Sequence, residues 1–405
     1  MNYENEHIAN TYQRLPINVL NGNGAILHDI NGKRYIDMMG GYGVAILGYG
    51  NNKIKEAVCR QFDTIPVAHA SEYTASREEF VKNLTGIVPA GLDKFYLGNT
   101  GAEAIEAAIK TVIKSSKKHK IIAMTNSYHG KTAGALSITY SEKYRQSFGD
   151  ILMKNVEFIR YNNMEDLEKI ERDDEISAVF FEPVQGEGGI NIPDRDYVKE
   201  LRQITENNGI ILVADEIQSG LGRTGKMWAH EHFGIKPDII TIGKGIGGGL
   251  PLSIAAGKPE FMDNLAKGEQ SSTTGGNPLS MAAGSAVIEQ LSQSLIDDVA
   301  RKGELFRKTL SESLDDSKIV KEIRGLGLMD AIELKVKFLP ILMDIINRGV
   351  LPLYSGINIL RMLPPYVITD SEIEEAANIM SEGIKSYSKE VVRSTTPSSR
   401  RGLVP

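Results

Sequence analysis

Short runs of apolar residues alternate with amphipathic stretches through the middle of the chain. Residues 120–124, 177–181 and 210–214 are almost entirely apolar, and each run has the length of one strand. Residues 195–208 place apolar side chains on one helical face, and Gly209 follows as a residue that commonly ends a helix. This alternation predicts an α/β fold with a mostly parallel sheet covered on both faces.

The two ends of the chain have a different pattern. Residues 25–37 predict two short strands around an Asn31-Gly32 turn, and beyond about Ser294 charged helices alternate with short strands near residues 324–328. We expect these parts to form a smaller α+β domain. The predicted organisation is an N-terminal segment packing with the small domain, a large cofactor-binding domain, a C-terminal small domain and a flexible tail derived partly from a tag: residues 1–45, 46–293, 294–390 and 391–405.

Two apolar strands each deliver one charged side chain. Lys244 follows the strand at residues 238–242, and Asp215 follows the strand at residues 210–214. Ligands of parallel sheets bind at the carboxyl ends of the strands, so both charges are expected in one cleft. The alternative is that they are two unrelated charges at strand ends.

Two hydroxyl- and glycine-rich segments can bind an anion. Thr100, with a glutamate three residues later, forms a capping box, and Gly101 and Ala102 offer backbone N–H groups at the positive end of a helix. Thr273 lies in a second such loop, at residues 271–278. Each segment is also compatible with an ordinary helix cap.

Aromatic and acidic residues follow two further strands. Tyr128 and His129 come shortly after residues 120–124, where an aromatic ring can stack on a planar ligand. Glu182 and Glu187 lie in a glycine-rich turn after residues 177–181. Core packing and a solvated loop are the plain alternatives. Taken with the lysine and the phosphate-type loop, these groups match pyridoxal 5′-phosphate (PLP), which needs a Schiff-base lysine and a carboxylate for its ring nitrogen.

Composition excludes several other classes of protein. A net charge of −6 and a pI near 5.8 argue against nucleic acid as a partner. Cys59 is the only cysteine, which excludes an internal disulfide and a thiolate metal cluster, and we predict no metal site. Residues 1–7 have no features of a signal peptide, and no apolar run approaches the length of a membrane span. We therefore expect a cytoplasmic enzyme with no membrane partner.

The ordered motifs resemble those of the class III aminotransferases. The resemblance runs from about Gly24 to near Tyr387. It implies the type I fold of PLP-dependent transferases, with a mostly parallel seven-stranded sheet. Six motifs in the family's order carry it, at residues 100–104, 128–132, 182–189, 215–225, 243–245 and 274–278.

The resemblance also implies roles for the cofactor-binding residues. Lys244 would be catalytic, holding PLP as a Schiff base and moving a proton between the substrate Cα and the cofactor. Asp215 would pair with the ring nitrogen and Gln218 would reach the ring hydroxyl, whereas Thr273 would reach the phosphate of a neighbouring subunit in a homodimer. The remaining cofactor contacts would be phosphate, ring and supporting contacts from Thr100, Gly101, Ala102, Tyr128, His129 and Glu182.

Substrate binding would depend on four further residues. Arg361 matches an arginine that binds an α-carboxylate, and Glu187 matches a carboxylate that covers this arginine when an ω-amine substrate is bound. Lys131 stands where the subgroup usually has arginine for the distal carboxylate, and Tyr42 stands where ornithine aminotransferases recognise the amino acid. Thr274 replaces a common aromatic residue.

Within the family, the sequence is most similar to acetylornithine aminotransferases and to relatives that act on carrier-protein-linked aminoadipate semialdehyde. The implied substrates are an N-acylated ornithine or lysine and 2-oxoglutarate, with an amino-group carrier protein as a possible partner. Ornithine, 4-aminobutyrate and broad ω-amine specificity remain open. A glutamate-1-semialdehyde aminomutase and a non-catalytic nucleotide-binding protein are the more distant alternatives.

Overall fold

A computed structural model describes residues 2–395. Its central sheet has seven strands in the order β4-β10-β9-β8-β7-β5-β6, and only β10 runs antiparallel to its neighbours. This confirms the predicted α/β fold with a mostly parallel sheet. The strands are β1 Val19–Asn23, β2 Ile26–Asp29, β3 Arg34–Asp37, β4 Lys94–Gly98, β5 Lys120–Met124, β6 Val156–Ile159, β7 Ile176–Phe181, β8 Ile211–Asp215, β9 Ile239–Ile242, β10 Ser253–Gly257, β11 Val320–Leu326, β12 Met329–Leu334, β13 Val350–Leu351, β14 Leu353–Ser355 and β15 Ile359–Met362.

The central strands are buried on both faces. Every residue of β7, β8 and β9 is buried, which explains why these strands read as continuous apolar runs rather than alternating ones. The helices are α1 Asn2–His7, α2 Gly40–Gly43, α3 Asn52–Thr64, α4 Ala75–Thr85, α5 Gly101–Ser115, α6 Ala133–Ser137, α7 Glu142–Arg145, α8 Met164–Arg172, α9 Arg195–Asn207, α10 Pro259–Met262, α11 Pro278–Ile288, α12 Gln293–Leu314, α13 Leu339–Asn347 and α14 Asp370–Thr395.

Two smaller sheets flank the central one. The predicted N-terminal hairpin is β2 and β3, but β1 adds a third strand that the sequence did not indicate. The short strand β13 pairs with β3 in parallel, which joins the two ends of the chain in one sheet. The other small sheet has the order β11-β12-β15-β14 and is called the C-terminal sheet below. The exact domain boundaries stay a prediction.

Three local features differ from, or extend, the sequence interpretation. Helix α14 continues to Thr395 and so includes residues 391–395 of the predicted tail, whereas residues 396–405 lie outside the described residues. Cys59, for which the sequence favours a packing role in a helix, is exposed on α3. Helix α2 is a single left-handed turn that carries Tyr42 at φ 62°. In the part of the chain that the structure describes, no helix combines the length and apolarity needed to cross a bilayer.

Candidate active site

Lys244 and Asp215 lie at the same edge of the central sheet. Lys244 follows β9 and opens the 3₁₀ turn Lys244–Gly247. Asp215 is the last residue of β8 and pairs with Thr241 of the adjacent β9. The Lys244 backbone has φ 49°, a left-handed conformation that costs on the order of 1–3 kcal/mol and that occurs mainly at functional sites.

The environment of the Lys244 amine favours its neutral form. Burial lowers the pKa of Lys244 below its usual range, although the charges of Asp215, Glu182 and Glu187 act in the opposite direction. A neutral amine is the nucleophilic form of lysine. The Lys244 side chain also runs close to Gly43, where an added Cβ would stand 3.9 Å from Lys244 Cδ.

Asp215 is held by three donors. His129 Nδ1 lies 2.7 Å from Asp215 Oδ2, whereas the Ile217 N–H and the Thr241 hydroxyl donate to Oδ1 at 3.0 and 3.2 Å. Burial alone would lower the pKa of His129, but its hydrogen bond to Asp215 and the charges of Asp215 and Glu182 raise it above the ordinary value. A carboxylate accepts about four hydrogen bonds, so Asp215 can take one more donor.

The start of α5 forms an anion cradle next to Lys244. Thr100 Oγ1 accepts from the Glu103 N–H at 3.3 Å, and the Glu103 carboxylate accepts from the Thr100 N–H at 3.0 Å, which is the predicted capping box. The cap leaves the N–H groups of Gly101 and Ala102 for an external acceptor. An added Cβ on Gly243 would come within 3.7 Å of Gly101 Cα, so the cradle adjoins the segment that carries the lysine.

These features fit PLP. The cradle suits its phosphate, and the spare acceptor capacity of Asp215 suits a protonated ring nitrogen. His129 Nε2 is buried and has no hydrogen-bond partner within residues 2–395, so the site also retains an unused polar atom beside Asp215.

Glu182 is a buried carboxyl group behind the site. It accepts hydrogen bonds from the Tyr128 and Gly186 N–H groups at 3.0 and 3.2 Å. Burial raises its pKa to about 7, with the charge of His129 opposing and that of Asp215 adding to the rise. Glu182 therefore fixes the backbone on both sides of the cleft and titrates near neutral pH.

Glu182 makes the stability of the cofactor-free protein depend on pH. Because the pKa of Glu182 is raised in the folded protein, its contribution to the unfolding free energy is fully present below the ordinary pKa of 4.5. That contribution is lost as the pH rises through about 7. Glu182→Gln cannot ionise, so we expect the unfolding free energy of the variant, relative to wild type, to increase by roughly 3 kcal/mol between about pH 4.5 and pH 8. Denaturant or thermal unfolding at several pH values measures this difference.

Glu175 supplies the matched control, because it precedes β7 just as Glu182 follows it, yet its side chain is exposed. Glu175→Gln should leave the pH dependence of unfolding as it is in wild type. A stability difference between Glu182→Gln and wild type that stays constant with pH would contradict the role assigned to burial.

Arg361 and Glu187 form an ion pair at the cleft. Arg361 is fully buried on β15, and its Nη2 lies 2.5 Å from Glu187 Oε2. Its guanidinium also donates to the Gly186 and Tyr354 carbonyls at 2.8 and 3.3 Å, and Nη1 lies 3.5 Å from Gln218 Oε1. The Glu187 side chain is 32% exposed, so the carboxylate has room to leave the arginine.

Several tyrosines surround this pair. Burial raises the pKa of Tyr144, with the charge of Glu187 adding and that of Arg361 opposing, and burial raises the pKa of Tyr42 in the same surroundings. Tyr144 packs edge-on against Tyr128 with ring centroids 6.0 Å apart. The Lys131 ammonium lies 4.6 Å from the Tyr144 ring centroid. The cleft therefore has an aromatic wall, with the exposed Lys131 ammonium over one of its rings.

The structure brings nearly all of the predicted site residues to one cleft. Thr273 is the exception, because its side chain is exposed and its loop is tied to Asn99 through neighbours, Ser272 at 2.8 Å and Thr274 at 3.1 Å. Its predicted contact with a second subunit stays a prediction, as do the individual roles of the other residues.

Thr241 and Tyr144 contact the site, and sequence reasoning missed both. Thr241 donates to Asp215, and its signal was present, since it is the single polar residue in the buried strand β9. Tyr144 gave no signal, because the four-residue helix α7 that carries it has no distinctive pattern.

Comparison with known proteins agrees with this geometry. The family model for aminotransferase class-III matches residues 7–384. A [LysW]-aminoadipate semialdehyde/glutamate semialdehyde transaminase from Sulfurisphaera tokodaii is 42% identical over 91% of this chain and 95% of its own length. An acetylornithine aminotransferase from Archaeoglobus fulgidus is 38% identical over 93% of this chain and 98% of its own.

A solved structure gives the same fold. The ornithine aminotransferase from Toxoplasma gondii superposes with a TM-score of 0.92 at 30% identity, covering 96% of this chain and 95% of that one. A second structure of the Toxoplasma gondii enzyme has PLP at partial occupancy in its active site. The predicted type I fold of PLP-dependent transferases is thereby confirmed.

The fold and the cleft define an enzyme that transfers amino groups, with a lysine and an aspartate at the carboxyl edge of the sheet. The chain belongs to the class III aminotransferases, a family that uses PLP. The family predicted from the ordered motifs is confirmed.

Proposed function

We propose that this protein uses PLP to move an ω-amino group between an N-acylated ornithine- or lysine-type substrate and the 2-oxoglutarate/glutamate pair. The reaction is ping-pong, because one cleft serves both substrates in turn. The observation that carries the proposal is the Glu187–Arg361 ion pair in the lysine-bearing cleft. It is called the gate pair below.

Different residues of the chain would hold different parts of the cofactor. PLP, when bound, supplies an electron sink next to the reacting carbon. Lys244, whose pKa is lowered by burial, would hold the cofactor and would move the proton at the substrate carbon that bears the reacting amine. Asp215, kept in place by His129 and Thr241, would hold the ring nitrogen, and the start of α5 would hold the phosphate.

The gate pair explains how one cleft accepts two kinds of substrate. Glutamate presents an α-carboxylate beside its reacting amine, and Arg361 binds it once Glu187 has turned away. An ω-amine has no carboxylate at its reacting carbon, so Glu187 stays on Arg361 and neutralises it. An uncovered buried arginine would otherwise attract the wrong end of the ω-amino acid.

Lys131 and the tyrosines beside it bind the end of the substrate that is distal to the reacting amine. The Lys131 ammonium is exposed over Tyr144, so it can pair with a distal carboxylate. Tyr144 offers apolar surface to the chain and acyl group, whereas its edge-on neighbour Tyr128 would stack on the cofactor ring. The similarity to acetylornithine and carrier-linked aminoadipate semialdehyde transaminases supports N-acylated substrates in arginine or lysine biosynthesis. An amino-group carrier protein is then the partner that presents the longer substrate.

Free ornithine is the second candidate substrate. Tyr42 is half-exposed at the cleft, on the left-handed turn α2, where it can contact an unacylated amino acid. The similarity to the ornithine aminotransferase fold supports the same candidate. 4-Aminobutyrate and broader ω-amines would need only Lys131 and the gate pair. An aminomutase is disfavoured, because it has no use for a gate that admits glutamate.

We also propose a homodimer with an active site shared across the interface. Thr273 is exposed on a loop anchored to the anion cradle through Asn99, so a second subunit can bring its own cradle to it. Loss of phosphate affinity in Thr273→Ala, with an unchanged dimer in sedimentation analysis, is the expected sign of such a contact.

A panel of half-reactions tests the proposed function. The purified holoenzyme is mixed separately with glutamate, acetylornithine, ornithine, N-acyl-lysine and 4-aminobutyrate, and the absorbance of the lysine-bound cofactor is followed. We expect glutamate and at least one N-acylated diamino acid to discharge the absorbance. Reaction with glutamate and with none of the ω-amines would contradict the proposal.

Replacing Lys131 tests whether this residue binds the distal carboxylate of the substrate. A hydrogen bond to a charged group contributes about 1.5–3 kcal/mol, so Lys131→Ala should lower kcat/KM for carboxylate-bearing ω-amines by at least about tenfold. An uncharged primary amine of the same length should lose less than about threefold, because no partner is removed. Lys143→Ala is the control, since its ammonium lies farther from the same ring, at 6.0 Å. Equal losses for charged and uncharged amines would refute the contact.

A further inference from the structure

The loop that carries Glu187 is a closed turn of the backbone. Residues 185–191, called the gate loop below, are joined at their ends by a bridge in which Gln185 and Asn191 exchange N–H···O bonds of 3.0 and 3.1 Å. Within the loop the Gly189 N–H donates to the Gly186 carbonyl at 3.1 Å, and the Asn191 side chain donates to the Gly188 carbonyl at 3.2 Å. The carbonyls of Glu187, Gly189 and Ile190 accept hydrogen bonds from side chains outside the loop.

Three side chains on three strands of the C-terminal sheet donate hydrogen bonds to carbonyls of the gate loop. Arg361 on β15 donates to the Gly186 carbonyl at 2.8 Å, and Ser355 on β14 donates to the Glu187 carbonyl. Arg324 on β11 makes the largest contribution, with Nη2 donating to the Gly189 carbonyl at 2.7 Å and Nε to the Ile190 carbonyl at 3.0 Å. The gate loop is thus fixed to the sheet that also carries its partner Arg361.

The conformation of Ile190 shows that the loop is held from outside. Ile190 is buried and has φ 58°, a left-handed conformation that a β-branched residue adopts only when its surroundings impose it. Arg324 binds the carbonyls on both sides of the Ile190 N–H–Cα unit, so its rigid fork can fix this backbone. Arg324 is itself aligned by ion pairs to Glu333 and Glu322, each at 2.7 Å.

We propose that Arg324 is a positioning residue for the gate pair. Arg324 fixes the backbone of the gate loop. Glu187 then covers and uncovers Arg361 by rotation of the Glu187 side chain alone, and the Glu187 backbone keeps its position. The inference rests on the proposed function, because it assigns a use to the motion of Glu187. Without this anchor the carboxylate would return to Arg361 less often, and Arg361 would stay open when an ω-amine binds.

Arg324→Lys is the informative variant. Lysine keeps the charge, and with it the pairing to Glu333, but one ammonium cannot bind two carbonyls as the guanidinium fork does. We expect kcat/KM for the preferred ω-amine to fall at least about tenfold relative to that for glutamate, since a misplacement of about 1 Å is enough for larger losses. Ser355→Ala, which removes one of the other anchors, should shift the ratio in the same direction by less.

Lys321→Ala is the matched control. Lys321 lies on the same strand and pairs with the same Glu333 at 2.7 Å, but within residues 2–395 it forms no hydrogen bond or ion pair with the gate loop. Its substrate ratio should equal that of wild type. An equal fall of both half-reactions in Arg324→Lys, or no change in either, would overturn the positioning role. Absence of the ω-amine reaction in wild type would instead overturn the proposed function.

A second readout is independent of turnover. Amide hydrogen exchange of peptides covering the gate loop, measured with the holoenzyme and again after cofactor removal, should be several-fold faster in Arg324→Lys than in Lys321→Ala. Unchanged exchange in the gate loop would contradict the anchor even if the substrate ratio changed.

Discussion

Replacing Lys244 by alanine is expected to lower turnover with every substrate by at least about a thousandfold, because one side chain supplies both the nucleophile and the proton carrier. The lowered pKa of the amine at the end of β9 makes it the candidate for both tasks. Single-turnover absorbance measurements with glutamate follow the loss directly. The variant should remain folded, since Lys244 lies in a cleft and its neighbours in β9 keep their pairing.

Two variants make this result specific. Lys244→Arg keeps a positive charge but presents a guanidinium that does not lose its proton, so it should be as inactive as the alanine variant. Lys199→Ala removes an exposed lysine from α9 and should be fully active. Rates close to wild type in either Lys244 variant would contradict the assignment.

The second large effect is expected at Arg361. Removing one partner of a buried, hydrogen-bonded charge pair costs about 2–5 kcal/mol, so Arg361→Ala should reduce kcat/KM for glutamate on the order of a hundredfold or more. Simple amines without a carboxylate should lose far less, since Arg361 binds nothing on them. Steady-state measurement of both substrates gives the ratio of the two losses, which does not depend on how much holoenzyme is active.

Structural damage is the competing explanation, and a second arginine that pairs with a buried carboxylate controls for it. Arg307 pairs with buried Asp330 at 2.5 Å and lies outside the active-site cleft. Arg307→Lys should lower thermal stability without changing the ratio between glutamate and amines, whereas Arg361→Lys should change the ratio because lysine lacks the fork. Equal losses for both substrates in Arg361→Ala would refute its role as the carboxylate clamp.

The sequence predicted those parts of the site that depend on local pattern. The ends of β8 and β9 could be read from apolar runs that stop at Asp215 and Lys244, and the start of α5 from the Thr100–Glu103 capping box. Each is decided by residues within a few positions of one another. Physical propensities act at that range, so a single sequence reveals them.

Contacts between distant segments could not be predicted in this way. Arg324 donates to the carbonyls of Gly189 and Ile190, more than 130 positions earlier in the chain, and backbone acceptors leave no trace in the sequence. Tyr144 reaches the cleft from a four-residue helix, where its neighbours say nothing about its direction. The strand β1 could not be predicted from a pattern of buried apolar residues, because four of its five residues are exposed.

The resemblance to a family predicted one contact between distant segments. It placed Arg361 and Glu187 in the same cleft although they are 174 positions apart, and the structure has them in contact. It gave no information on how the gate loop is held. The side chains that hold it come from β11, β14 and β15, which only the folded chain brings together.

We propose that Lys244 carries the cofactor as a Schiff base. Reduction of the purified holoenzyme with borohydride, followed by proteolysis and mass spectrometry of the peptides, tests it most directly. We expect one reduced pyridoxyl group, located on Lys244. A label on another lysine, or no label on a protein that contains PLP, would contradict it.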